Sequence, residues 1–148
     1  MIYVLFGQPE SGKTTLGNEL RKELRKIYGP HLDIFNIDGD QLREILPNNN
    51  YTYAGRYDNI KRANTIATYL NHQGCEVIVS LVNPYEELRV DLKNLNPKDT
   101  KFIYLVSDRR NKEQYFVRNF ETPKKLDLLL NTSELSVKQC LTRILDLI

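Results

Sequence analysis

The chain has 148 residues, 27% charged and 41% hydrophobic, with a formal net charge of +2. That length suits one domain with its own core and leaves little room for a second. The near-neutral balance gives no electrostatic footprint for nucleic acid, and no apolar run approaches the roughly twenty residues of a membrane span. Cys75 and Cys140 have no CxxC spacing and no neighbouring histidine pair, so they read as two reduced thiols rather than metal ligands or a disulfide. The apolar start lacks a basic flank and a cleavage site, which makes the cytoplasm the expected location.

Ile2–Phe6 is a short apolar run ending in glycine and predicts a buried strand. Lys13–Tyr28 predicts a helix with Leu16, Leu20, Leu24 and Ile27 on one face and a solvated charged face opposite. Gly29-Pro30 stops it. Asp33–Ile37 predicts a second strand, followed by Asp38-Gly39-Asp40 and a short helix through Leu46. Pro47–Gly55, with three asparagines, predicts a loop. Asp58–Gln73 predicts an amphipathic helix with Ile60, Ala63, Ala67 and Leu70 in register, closed by Gly74. Glu76–Val82 is β-branched and continuous, as in a strand buried on both faces. Pro84–Leu95 predicts a helix, Lys101–Val106 a fourth strand, Leu126–Leu130 a fifth, and Val137–Ile148 a closing helix. This alternation predicts a three-layer α/β/α sandwich on a five-stranded, mostly parallel sheet.

The pattern G-x-x-x-x-G-K-[ST] occurs once, as Gly7-Gln8-Pro9-Glu10-Ser11-Gly12-Lys13-Thr14, with Thr15 following. Gly7 and Gly12 let the backbone turn tightly and approach phosphates without a Cβ in the way. Successive N–H groups and the helix N-terminus form an anion cradle. In this pattern Lys13 reaches the β- and γ-phosphates and Thr14 offers its hydroxyl to Mg²⁺. A chance match in a chain this size is on the order of one in a few hundred from average composition. The strand before the loop and the helix after it lower those odds further. The motif in this setting predicts a fold of the P-loop NTPase type, and the expected cofactors are ATP and Mg²⁺.

The acceptor is sought at the carboxyl ends of the other strands, where ligands gather in open parallel sheets. Asp38-Gly39-Asp40-x-x-Arg43 places a carboxylate opposite the phosphate loop. It can take a proton from an attacking hydroxyl or order the waters around Mg²⁺. The competing use is helix capping, divided here as Asp40 capping while Asp38 works. Arg43 can hold an anionic group. Tyr51 to Arg62 sets aromatic rings, Arg56 and Asn59 at a loop-to-helix junction, where a ring can stack on a base and an arginine can clamp an anion.

These residues resemble the adenylylsulfate kinases. That family follows its P-loop with L-D-G-D-x-x-R, then F-S-x-x-x-R-x-x-N-I-x-R, then S-x-I-S-P-x-x-x-x-R. This chain has Ile37-Asp38-Gly39-Asp40-Gln41-Leu42-Arg43, then Tyr51-Thr52 with Arg56, Asn59-Ile60 and Arg62, then Ser80-Leu81-Val82-Asn83-Pro84 with Arg89. The likeness runs over residues 2–106 and resumes near 120. The resemblance implies phosphorylation of the 3′-hydroxyl of adenosine 5′-phosphosulfate by ATP, with Lys13 and Asp38 catalytic. It implies that Tyr51 stacks on adenine and that Arg43, Arg56 and Asn59 hold the phosphosulfate and ribose. Asp38 would face the hydroxyl, Asp40, Leu81, Val82 and Asn83 would line the substrate pocket, and Thr14 and, through water, Asp38 would serve Mg²⁺.

Two departures stand out. Asn83 replaces a family serine, which excludes a phosphoserine relay at that position. The segment after Val106 is also shorter than the family's lid by about twenty to thirty residues. Arg109, Arg110, Lys112 and Arg118 are candidates for a reduced lid or for a solvated basic turn, and Asp108 is a weaker candidate than Asp38 for a magnesium-side carboxylate. The resemblance leaves open a kinase of another hydroxyl (nucleotide, sugar or modified base) and a non-catalytic nucleotide-binding module. The expected partner is a small molecule, with no nucleic acid and no membrane. A homodimer is the one assembly kept open.

Overall fold

The computed structural model describes residues 1–148. Strand β1 (Ile2–Phe6) is buried along its whole length, because helices cover both faces of the sheet it belongs to. Its alternating side chains divide the core. Ile2, Val4 and Phe6 join one apolar cluster, and Tyr3 and Leu5 join another on the opposite face. The remaining elements are α1 (Lys13–Tyr28), β2 (Ile34–Asp38), α2 (Gly39–Ile45), α3 (Tyr53–His72), β3 (Glu76–Leu81), α4 (Glu86–Leu95), β4 (Thr100–Val106), β5 (Leu128–Asn131) and α5 (Val137–Leu145).

The strands lie in the order β2-β3-β1-β4-β5, and every pairing is parallel. The first cluster takes its helical side chains from α2, α3 and α4, and the second takes them from α1 and α5, which makes the predicted three layers. Cys75 and Cys140 are free and buried in opposite clusters, so the sheet separates them. No helix is long and apolar enough to cross a membrane. From central β1 the chain runs out to edge strand β2, returns as β3 beside β1, and then crosses to β4 on the other side of β1. A crevice therefore opens beyond the carboxyl end of β1, where the phosphate loop lies.

Element boundaries differ from the sequence reading in ways that matter for the site. The loop predicted for Pro47–Gly55 ends early, and α3 begins at Tyr53, not Asp58. The Asn50 side chain accepts from the N–H and hydroxyl of Thr52, at 2.9 and 2.6 Å, and fixes the helix entry. Helix α4 begins at Glu86, not Pro84, because Asn83 adopts φ 48° and turns the chain before the helix. Strand β2 extends to Asp38, β5 is shifted to Leu128–Asn131, and α5 stops at Leu145. A short 3-10 turn, Glu113–Tyr115, forms in the basic segment after β4.

Candidate active site

Gly7 leaves β1 at φ 152°, and a Cβ there would lie 2.2 Å from the Leu105 carbonyl oxygen. Only glycine fits against the neighbouring strand at this point. Gly12, at φ 93°, then starts α1 with no side-chain cap, so the first-turn N–H groups stay available to an anion. The Lys13 ammonium folds back onto its own loop. It donates to the Gln8 carbonyl at 2.7 Å and the Ser11 hydroxyl at 3.2 Å. Its pKa is lowered to about 8, chiefly by burial and to a lesser extent by nearby Lys112. Asp40 and Asp38 pull the other way.

Asp38 ends β2 and does two things at once. Its Oδ1 accepts from the N–H groups of Asp40 at 3.0 Å and Gln41 at 3.3 Å, capping α2. Its Oδ2 accepts from the Thr14 hydroxyl at 2.8 Å. The cap assigned to Asp40 thus belongs to Asp38, because the residue that ends the strand is the one whose carboxylate reaches back over the first turn. Using its hydrogen on Asp38 leaves the Thr14 oxygen free to offer lone pairs elsewhere. No group of three or more His, Cys, Asp or Glu side chains gathers as a metal cage. Mg²⁺ keeps several waters and takes one or two protein oxygens plus substrate phosphates. Thr14, with Asp38 behind it, fits that role.

A cavity of about 1000 Å³ runs from the phosphate loop toward α3. Of the predicted cofactor residues, Pro9, Glu10, Gly12, Lys13, Thr14 and Thr15 line it, and Gly7, Gln8 and Ser11 do not. Gln8 turns away to pair with the Val117 backbone, donating at 2.8 Å and accepting at 2.9 Å. Ser11 is buried beneath Lys13. All nine predicted acceptor residues line the cavity: Asp38, Asp40, Arg43, Tyr51, Arg56, Asn59, Leu81, Val82 and Asn83.

Two of those side chains are partly committed. Arg43 donates to the Asn48 carbonyl and side chain and to the Asn50 carbonyl, and its guanidinium lies 4.1 Å from the centre of the exposed Tyr51 ring. This pair shapes the loop as well as facing the cavity. Asn59 donates to the Gly39 carbonyl at 3.3 Å, and its Oδ1 has no partner. Neither polar atom of the buried Asn83 amide has one either. Arg56 stands beside the Tyr85 phenol and opposes the upward pull of burial on that group.

The same cavity also takes in Arg109, Lys112, Gln114, Tyr115 and Val117 from the segment after β4. The basic spacing flagged Arg109 and Lys112, but nothing in the sequence flagged Gln114, Tyr115 or Val117. Asp108 is exposed, its N–H donates to Ser133, and it does not line the cavity. Arg110 turns to the Ser107 and Arg109 carbonyls, and Arg118 also lies off the cavity wall. Arg89 is buried and holds the turn after β3 in place. It donates to the Asn83 carbonyl at 2.6 Å, the Glu121 carbonyl at 2.7 Å and the Glu86 carboxylate.

The family model described as adenylylsulphate kinase matches residues 1–114, well over half the chain. The chain belongs to the adenylylsulphate kinase family. It is therefore a P-loop kinase, a phosphotransferase with a hydroxyl acceptor. Its relatives within the family differ in the acceptor they are named for. The cytidine diphosphoramidate kinase of Campylobacter jejuni is 32% identical over 146 residues, covering 87% of this chain and 84% of the relative. The adenylyl-sulfate kinase of Deinococcus deserti is 30% identical over 159 residues, covering 95% and 86%. The structure of the Mycobacterium tuberculosis APS kinase in complex with AMPPNP and APS superposes with a TM-score of 0.84 at 20% identity, covering 99% of this chain and 95% of that one. At that identity the superposition speaks to the fold alone.

Proposed function

We propose that this kinase transfers the γ-phosphoryl group of ATP to the 3′-hydroxyl of adenosine 5′-phosphosulfate, giving the 3′-phosphorylated nucleotide and ADP. The observation that carries the reading is one continuous cavity. It joins the phosphate loop and the Thr14–Asp38 pair to Arg43, Tyr51, Arg56 and Asn59. Cation, aromatic ring and amide are the groups needed to hold an anionic nucleoside with its ribose toward the donor.

In this reading the acceptor oxygen attacks the γ-phosphorus and the bond to the β–γ bridging oxygen breaks. ADP leaves with that electron pair, and the hydroxyl proton passes to Asp38 and on to water. Lys13 leaves the Gln8 carbonyl and Ser11 hydroxyl for the phosphates. The N–H groups of the loop and of the first turn of α1 hold the charge in place. Thr14, its hydroxyl oriented by Asp38, would hold Mg²⁺, which would supply charge neutralisation on the phosphates.

A second reading takes cytidine diphosphoramidate as the acceptor, and the 32% identical relative favours it. Both candidate acceptors are nucleosides with an anionic group in anhydride linkage at the 5′ end, so the same arginines serve either. The test is to incubate purified protein with Mg²⁺-ATP and each acceptor and follow ADP release and product mass. No ADP above the acceptor-free background with adenosine 5′-phosphosulfate sinks the first reading. Turnover with the cytidine compound alone establishes the second.

A further inference from the structure

Glu10 is out of place in a phosphate loop. It is one of two non-glycine residues in the chain with positive φ, at 63°, a region where a side chain is disfavoured. It also puts a carboxylate on the wall of a cavity that must hold phosphates. None of the chain's ion pairs involves it. Its hydrogen bonds go to the segment after β4. Oε2 accepts from the Lys112 N–H at 3.0 Å and Oε1 from the Asn111 amide at 3.4 Å. Its carbonyl accepts from Arg109 at 3.1 Å, and Arg109 is held in turn by the Thr132 hydroxyl and carbonyl at 3.2 and 3.0 Å. Two residues earlier, the reciprocal Gln8–Val117 pair grips the other end of the same segment.

We propose that Glu10 is a positioning residue that docks residues 109–117 onto the phosphate loop and so sets the Lys112 ammonium over the phosphate end of the cavity, as a second cation beside Lys13. Lys112 lines that cavity, and its charge is close enough to bear on Lys13. The strained backbone and the misplaced charge then have one explanation. The side chain that a glycine would lack is the one that fastens the short lid. A docked carboxylate with no cationic partner also raises the local need for Lys112 once a triphosphate arrives. The proposal rests on the chain being a kinase and is indifferent to which acceptor it uses.

The test uses the full chain without acceptor. Glu10→Gly keeps the positive φ at no steric cost and deletes only the docking side chain. In the nucleotide-free protein, tryptic cleavage within 109–118, which carries exposed Arg109, Arg110, Lys112 and Arg118, should rise about fivefold or more while the melting temperature holds. Calorimetric affinity for a non-hydrolysable Mg²⁺-ATP analogue should fall about tenfold, as expected for losing one charge-assisted phosphate contact. Lys112→Ala should lose the same affinity, and the double variant should be no weaker than either single. Glu10→Gln, which keeps an acceptor for the Lys112 N–H, should retain most of the docking. In the wild type, the Lys112 amide should exchange with deuterium at least about tenfold more slowly than that of its neighbour Asn111. Unchanged cleavage, additive affinity losses or an unprotected Lys112 amide would each overturn the proposal. The amide measurement decides it even if a variant does not fold.

Discussion

Asp38→Asn separates the two jobs that one carboxylate performs. An amide has one oxygen, and that oxygen can satisfy only one side. The Asp40 and Gln41 N–H groups, 3.0 and 3.3 Å from Oδ1, are donors, so the amide oxygen must face them and the NH₂ must face Thr14. The Thr14 hydroxyl, which now donates to Oδ2 at 2.8 Å, would have to accept instead. Its hydrogen would then point into the cavity, where the proposed cation needs a lone pair. Asparagine caps helices about as well as aspartate, so stability should change by less than about 1 kcal/mol, or roughly 2–4 °C in a chain of this size. Turnover should fall by roughly 10²–10⁴, the span associated with losing a general base, and the Mg²⁺ requirement should rise. Affinity for the nucleotide should change little. Asp38→Ala should match the turnover loss and also cost about 1 kcal/mol for the missing cap. The assay pairs kcat and KM over a magnesium titration with thermal melts of both variants. If Asp38→Asn retained more than about a third of kcat, the chemical role would be refuted. If Asp38→Ala lost turnover while Asp38→Asn kept it, the capping role would be the whole of it.

Nucleotide affinity should fall as pH rises through about 8, because the free Lys13 ammonium titrates there and only its charged form attracts phosphate. Between pH 7 and pH 9 the loss should be about tenfold, with proton uptake on binding that is measurable by calorimetry in buffers of different ionisation enthalpy. The same shift has a stability consequence. Since the unfolded chain holds the proton up to the ordinary lysine value of 10.5, the free protein should gain stability as pH rises from about 8 toward that value, as far as this group is concerned. Arg56→Ala should raise the KM for the acceptor and leave that for ATP unchanged, and equal losses in steady-state kinetics would count against the acceptor pocket as assigned. Gly55→Ala should destabilise by roughly 1–3 kcal/mol in a denaturant melt, because its Cβ would sit 2.0 Å from the Asn50 carbonyl oxygen, a backbone atom with little room to yield.

The fold was legible because two periodicities do not overlap. The strands are short runs of apolar or β-branched residues, and the helices between them repeat every three to four residues, so the alternation survives errors of a few residues at the ends. Those errors have local causes. Tyr53 to Gly55 read as loop because they follow three asparagines, and tyrosine and glycine carry weak helix preference. Helix α3 starts there all the same, because Asn50 ties down Thr52 and because Gly55 alone allows the approach to Asn50. Pro84 looked like a first helical residue, but the left-handed Asn83 before it depends on Arg89 gripping its carbonyl from the next helix. No local pattern encodes that contact.

The candidate site divides along the same line. Residues within a motif were legible because the motif is a backbone shape. Gly7 must clear Leu105, and Asp38 must end β2 where it meets Thr14, so spacing alone places them. The segment after β4 has no such shape. Its position comes from single contacts to residues about a hundred places away, Gln8 with Val117 and Glu10 with Lys112, and only one side of each contact lies in a recognisable motif. The spacing rule treats Glu10 as a free position, so its side chain carried no signal until its partners were known. The same reasoning explains why a shortened lid need not leave the donor site open. A lid held by its own length must be long enough to fold over the nucleotide, whereas one pinned at both ends by the phosphate loop needs only enough chain to carry Lys112 and Arg109 across it.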